Sequence, residues 1–91
     1  MATIAELNAQ GIEAAYDLGM RHGDYEKAKS ELYELKKELP SFPTALVLEG
    51  VAAAEINLQK ATYAYGKARA NYTMTIQQIK DAEEVAQAKR N

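Results

Sequence analysis

Residues 44–88 read TALVLEGVAAAEINLQKATYAYGKARANYTMTIQQIKDAEEVAQA. Alternating steps of four and three from Val47 meet only small, aliphatic or aromatic side chains, and the stretch contains no proline. The line formed in this way is Val47, Val51, Ala54, Leu58, Ala61, Tyr65, Ala68, Tyr72, Thr75, Ile79, Ala82 and Ala86. Such a sustained spacing is typical of one long α-helix that packs along another helix. At 1.5 Å per residue, this helix would be roughly 65 Å long.

The first half of the chain repeats the same spacing. Thr3 and Glu6 are placed as a capping box, which predicts that a helix starts near the beginning of the sequence. The apolar line that follows is Ile4, Leu7, Gly11, Ala14 and Leu18, and after an interruption at Arg21 it continues as Tyr25, Ala28, Leu32, Leu35 and Leu39. Gly19 and Gly23 leave two alternatives for residues 19–24, a break between two helices or one bent helix. We favour a break or kink there, with the same face used on both sides of it.

Pro40-Ser41-Phe42-Pro43 is the clearest turn in the sequence, because proline disfavours helical geometry in the residue before it. The fold class predicted is therefore all-α: one domain over residues 1–91, an antiparallel helical hairpin. Its first arm is 3–39, its turn 40–43 and its second arm 44–89. We expect Phe42 to fold over the end of the hairpin as a plug, and the last two or so turns of the longer second arm to overhang the first.

Composition argues against most kinds of chemistry. The chain has 91 residues, 47% of them hydrophobic, a formal net charge of -2, no cysteine and a single histidine, His22. No nucleophile or substrate pocket accompanies His22, so we expect no enzyme. Asp17, Asp24 and Glu26 lie near His22, but their spacing matches no known metal site, and we expect no metal and no cofactor.

The distribution of charge and of apolar residues also argues against nucleic acid and membrane as partners. Acidic and basic residues are intermingled, and Lys60 and Lys67 are typical of a solvated helix edge, so we expect no binding of nucleic acid. No apolar run has the length of a bilayer span. The N-terminal residues lack the pattern of a cleaved signal peptide, and we expect a soluble protein whose location stays open.

Each arm carries a second apolar face that a two-helix hairpin leaves uncovered. We expect these faces to contact protein, through Leu46, Ala53, Ile56, Tyr63, Ala70 and Met74 on the second arm and Ile12, Tyr16 and Met20 on the first. Gly50 and Gly66 lie inside the long helix, where glycine is destabilising. Two alternatives account for them: close approach of a neighbouring backbone, or relief of crowding beside tyrosines within the hairpin.

The sequence Gly23-Asp24-Tyr25-Glu26-Lys27-Ala28, followed by Pro40, resembles the second helix of a tetratricopeptide repeat. This resemblance implies a small adaptor or chaperone that holds a helix or extended segment of a partner. It also implies a turn within residues 55–61, which would divide the long helix.

The Pro40-Ser41-Phe42-Pro43 turn with a long C-terminal helix resembles the needle-type subunits of type III secretion systems. Tyr63-Ala64-Tyr65 and residues 75–81 are similar to the tyrosine pair and closing segment of that family. This resemblance implies self-assembly through helix contacts. Our leading hypothesis from the sequence is a structural or assembly protein, in a homo-oligomer or a larger complex of the secretion-apparatus or phage-particle type, and the adaptor is the alternative.

Overall fold

The computed structural model describes residues 2–90 and confirms an all-α helical hairpin. Helix α1 runs from Ile4 to Lys37 and helix α2 from Ala45 to Arg90. Thr3 caps α1, since its hydroxyl accepts a hydrogen bond from the Glu6 N–H at 3.1 Å. Thr44 caps α2 in the same way, with the Val47 N–H at 3.3 Å. Met1 and Asn91, which the predicted domain includes, lie outside the described residues.

The hairpin is a long bar rather than a compact domain. Its extents are 72 × 18 × 13 Å, and its radius of gyration is 20.4 Å. A compact chain of this length would have a radius of gyration of about 12 Å. Two packed helices therefore form a single thin layer, in which each helix contacts the other along one side and solvent along the rest.

The two arms keep one antiparallel register from end to end. Gly11 lies against Ile79, Tyr25 against Tyr65, and the Lys36 Nζ is 3.5 Å from the Glu55 Oε1.

This register shows that the predicted overhang at the C-terminal end is wrong. Thr3 and Ile4 share a groove with Ala86 and Lys89, so α1 begins beside the last turns of α2. The extra length of α2 lies at the end where the two helices are connected. There, roughly the first two and a half helical turns of α2 extend past Lys37. The extended segment 38–44 spans that distance.

The core follows the predicted four-three lines. Its buried residues are Leu7, Gly11, Ala14, Ala28 and Leu32 on α1 and Val51, Ala68 and Thr75 on α2. Thr75 is the buried polar residue, and its hydroxyl donates to the Asn71 carbonyl at 2.8 Å, which satisfies it. Most members of this core are small, so the two helices lie close together and bury little bulky apolar surface.

The predicted break at residues 19–24 is wrong, because α1 continues through them without interruption. Neither Gly19 nor Gly23 has a positive φ, so neither acts as a C-terminal cap. Arg21 bridges one turn in each direction, 3.4 Å from Asp17 and 3.9 Å from Asp24. Such pairs support a helix by a few tenths of a kcal/mol each. Together with the continuing apolar line, they offset the cost of two glycines.

The turn leaves Phe42 uncovered, so its predicted role as a plug is wrong. The side chain is 93% exposed, more than any other large hydrophobic residue of the described chain. The cause is the geometry of the segment 38–44, which bends at Ser41 and Phe42. At this bend the bar has no second layer of structure against which an aromatic ring could pack.

Residues 55–61 are helical, as the long-helix interpretation requires, and α2 has no turn there.

His22 and Tyr25 from α1 both contact the ring of Tyr65, with ring centroids 5.2 and 5.4 Å apart. This cluster is the main aromatic contact between the two arms.

Replacing Gly11 with leucine is expected to lower the free energy of unfolding by about 1–3 kcal/mol. A Cβ at this position would lie 3.1 Å from the Ile79 Cδ1, so a larger side chain must displace the Ile79 side chain or widen the spacing between the helices. Gly19→Leu is the matched control, since nothing lies within 4 Å of a Cβ placed there. That change is expected to raise stability by up to about 1 kcal/mol, because leucine favours a helix. Urea denaturation measures both, and equal effects would show that Gly11 is not tightly packed.

Candidate functional site

The outer sides of the two helices form the two long edges of the bar. On α1, Tyr16 and Met20 lie on the side opposite the core line, and Ile12 lies beside them; these three residues are the α1 edge. On α2, the residues opposite the core line are Leu46, Ala53, Ile56, Tyr63, Ala70 and Met74, which we name the α2 edge. Because each helix turns its core line toward the other, the two edges face in opposite directions.

All nine residues predicted to contact protein are exposed. Ile56, the least exposed of the seven large ones, still has 52% of its surface in contact with solvent, and Leu46 has 77%. Single exposed apolar residues are normal on a monomer, but several aligned along one side of a helix are typical of a contact surface. On α2 this line is interrupted by Lys60 and Lys67. The structure therefore places these residues together as two surfaces, and their role as an interface stays a prediction.

The first part of α1 and the central part of α2 carry charges of opposite sign. Between residues 2 and 20 the ionisable acids and bases are Glu6, Glu13 and Asp17, all acidic. From residue 56 to 80 they are Lys60, Lys67, Arg69 and Lys80, all basic. The overall net charge of -2 conceals this separation, which arises because the acidic stretch lies on α1 and the basic stretch on α2. Residues 2–20 are thus acidic and residues 56–80 basic, while Glu49 and Glu55 lie earlier along α2.

Gly50 and Gly66 are exposed, and nothing lies within 4 Å of a Cβ built on either. Residues that are not adjacent in sequence therefore do not crowd either position, and relief of crowding beside an adjacent tyrosine, one of the two alternatives, stays a prediction. Close approach of a neighbouring backbone stays a prediction, and Gly19 and Gly23 on α1 are equally open.

Sequence reasoning missed a groove at the end of the bar where the two helix termini meet. It has a volume of about 640 Å³, and Ile4, Leu7, Val85 and Ala86 give it an apolar lining. Val85 is 55% exposed there. The apolar line of each arm was visible in the sequence. The groove was not, because the predicted overhang left the last turns of α2 without a neighbour.

His22 packs against an aromatic ring and lies beside a surface carboxylate. Its ring contacts Tyr65 edge-on, and its Nε2 lies 3.6 Å from the Glu26 Oε1, with both side chains about half exposed. Asp17 and Asp24 each face Arg21 instead. Among residues 2–90, no three histidine, aspartate or glutamate side chains converge where a metal ion could bind.

Within the described part of the chain, neither helix has a stretch that is both long and apolar enough to cross a membrane. Comparison with models of known families, with curated proteins and with solved structures gave no match. The surfaces of the bar are therefore the basis on which a function is proposed.

Proposed function

We propose that this chain is a non-enzymatic structural protein that assembles through helix–helix contacts, with copies of itself or within a larger complex of the secretion-apparatus or phage-particle type. The observation that carries the proposal is the pair of apolar edges, which the hairpin builds and leaves in solvent. Tyr16 on one edge and Tyr63 on the other are about three quarters exposed. Exposed tyrosines of this kind are enriched in protein interfaces.

The total exposed surface supports the proposal quantitatively. The chain exposes 7157 Å². A compact protein with the same mass of 10.0 kDa exposes about 5,200 Å². The bar therefore exposes about 1,900 Å² more than a compact fold, and a standard protein interface removes about 800 Å² from each partner. The excess is large enough for each chain to take part in two interfaces.

Mass in solution tests the proposal. Light scattering over a series of concentrations is expected to show a mass that rises above that of one chain. The unaltered protein should be compared with a variant in which Ile56 and Tyr63 are both changed to serine. Both residues are exposed, so the variant is expected to keep its helix content but to remain a single chain. An unaltered protein that stays monomeric at every concentration, fully helical and stable to heat would overturn the proposal.

The second candidate is a small adaptor that holds a helix or segment of a partner protein, and the groove at the helix termini favours it. An apolar groove between two helices suits the apolar side of a third helix. If this candidate is correct, Val85→Glu removes binding of the partner while the mass of the protein alone stays that of one chain. The two candidates therefore differ in a measurement made on the protein by itself.

A further inference from the structure

We infer that the partner of the α1 edge is the α2 edge of a second copy, with the two helices parallel and with Glu6 and Glu13 of one copy facing Lys60 and Lys67 of the next. This inference rests on the proposed self-assembly and adds to it which surfaces meet, in which direction and in which register. Three observations support this partner: the charges of the facing residues, the sizes of the facing residues, and the surface area that the chain leaves exposed.

The charged side chains proposed to pair between copies are exposed and take part in no ion pair within the described chain. Glu6, Glu13, Lys60 and Lys67 are exposed, and within residues 2–90 the ion pairs of the chain involve other side chains. The two glutamates are seven residues apart, and so are the two lysines. Because seven residues make two helical turns, each pair lies on one side of its helix with the same separation of about 10.5 Å. Two parallel helices can therefore bring both pairs together at once.

The same alignment matches the apolar residues by size. It places Ala9 beside Tyr63 and Tyr16 beside Ala70, so that in these two layers a large side chain meets a small one. Matching of large and small residues lets helices pack closely. One layer further along, Met20 meets Met74.

The facing pairs of charged residues also favour a parallel contact between the two helices. Where the apolar layers end, the alignment brings Lys27 beside Asp81, a third pair of opposite charge. In parallel helices, equivalent positions of the seven-residue repeat face each other across the contact, which is how these layers are formed. In antiparallel helices, the repeat position of Glu6 and Glu13 would instead face the apolar repeat position of Tyr63 and Ala70. A buried glutamate without a partner is unfavourable, so the parallel direction is preferred.

The position of the edges makes this contact open-ended. The α1 edge and the α2 edge are different surfaces on opposite sides of one bar, so a copy that uses one edge keeps the other available. Contacts of this kind join copies into an extended row rather than a closed pair. Since α1 and α2 of one chain are antiparallel, a parallel contact turns each copy end over end relative to its neighbour. Two contacts per copy agree with the exposed excess of about 1,900 Å², which is about twice what one standard interface removes from a chain.

Charge reversal tests the pairing. Glu13→Lys alone and Lys67→Glu alone are each expected to raise the protein concentration needed for assembly by about tenfold or more, because like charges then face each other. A chain with both changes is expected to assemble at nearly the concentration of the unaltered protein. An equimolar mixture of the two single variants is expected to assemble as well. Circular dichroism should show unchanged helix content, since both residues are exposed.

The outcomes separate this inference from the proposed function. If the unaltered protein stays a single chain, both are wrong. If it assembles, but the single reversals assemble equally well or the double variant does not recover, self-assembly stands and the pairing of these edges is overturned.

Disulfide formation tests the direction, because the chain has no cysteine of its own. Chains carrying Tyr16→Cys mixed with chains carrying Ala70→Cys are expected to form a cross-linked pair under oxidation, since a disulfide requires Cα atoms within about 7 Å. Ala53→Cys is the matched control on the same edge, roughly 25 Å from Ala70 along α2. Cross-linking of Tyr16→Cys chains to Ala53→Cys chains, but not to Ala70→Cys chains, would contradict the parallel register.

Discussion

Changing Ala14 to aspartate is expected to lower the free energy of unfolding by about 3–5 kcal/mol, because it places an unpaired carboxylate in the core. Ala14 is 5% exposed and lies where α1 packs on α2. The total stability of a chain of this length is roughly 5–14 kcal/mol, and a core of small residues favours the lower end. A loss of this size would therefore remove most of the stability of the chain if that stability lies near the lower end of the range.

Ala15 provides the control for this prediction, since it is the next residue along α1 and is exposed. Ala15→Asp makes the same chemical change beside the same neighbours, but the new carboxylate stays in water. Its effect is expected to be within about 1 kcal/mol, the difference in helix propensity between alanine and aspartate. Far-ultraviolet circular dichroism during urea denaturation compares the two. Similar stabilities would show that the core does not follow the four-three line.

The tyrosines at positions 63 and 65 are expected to respond to alanine in different ways. Tyr65→Ala removes the ring that contacts both His22 and Tyr25, and it should lower the free energy of unfolding by about 2–3 kcal/mol. Tyr63→Ala removes an exposed ring, and stability should change by less than about 0.5 kcal/mol. The same change should weaken association about tenfold or more, as expected if Tyr63 is one of the few residues that contribute most of the binding energy.

Two measurements on each variant separate these effects. Denaturation at low protein concentration reports folding, and light scattering at high concentration reports association. Equal loss of folding from both substitutions would contradict the assignment of Tyr65 to the core and of Tyr63 to the α2 edge.

The fold could be predicted from periodicity because a two-helix hairpin has one interface, and one line on each helix must form it. The buried residues Leu7, Ala28, Val51 and Ala68 all lie on the predicted lines. The continuity of α1 through Gly19 and Gly23 could not be settled in this way. Local propensity opposes a helix there, and it is outweighed by ion pairs and by packing across the hairpin.

The position of the connecting segment relative to the two helices could not be predicted from the sequence pattern either. Periodicity gives the phase of a helix but not the axial shift between two helices. The position of Lys36 beside Glu55, and with it the location of the extra turns of α2, therefore had to come from the structure. Phe42 was misassigned for the same reason, since a plug needs a surface beside it and the shift leaves none.

The candidate contact surfaces were predictable as exposed residues, because leftover apolar positions follow directly from the helical wheel once the core line is assigned. Their separation by charge was hidden by the intermingled signs of the whole sequence. It is visible only when the charges are assigned to the two helices, with Glu13 in the acidic stretch of α1 and Lys67 in the basic stretch of α2.

The single antiparallel register has a consequence for the order of folding. Contacts near the turn, such as Lys36 with Glu55, join residues close in sequence, whereas Gly11 and Ile79 are far apart along the chain. Closing the distant contact first would cost about 1 kcal/mol more in chain entropy than closing the near one. Each contact also brings the next pair together, so the hairpin is expected to close from the turn toward the termini, and the groove beside Ile4 and Val85 forms last. Since most of its helical turns form locally, we expect folding in microseconds to milliseconds.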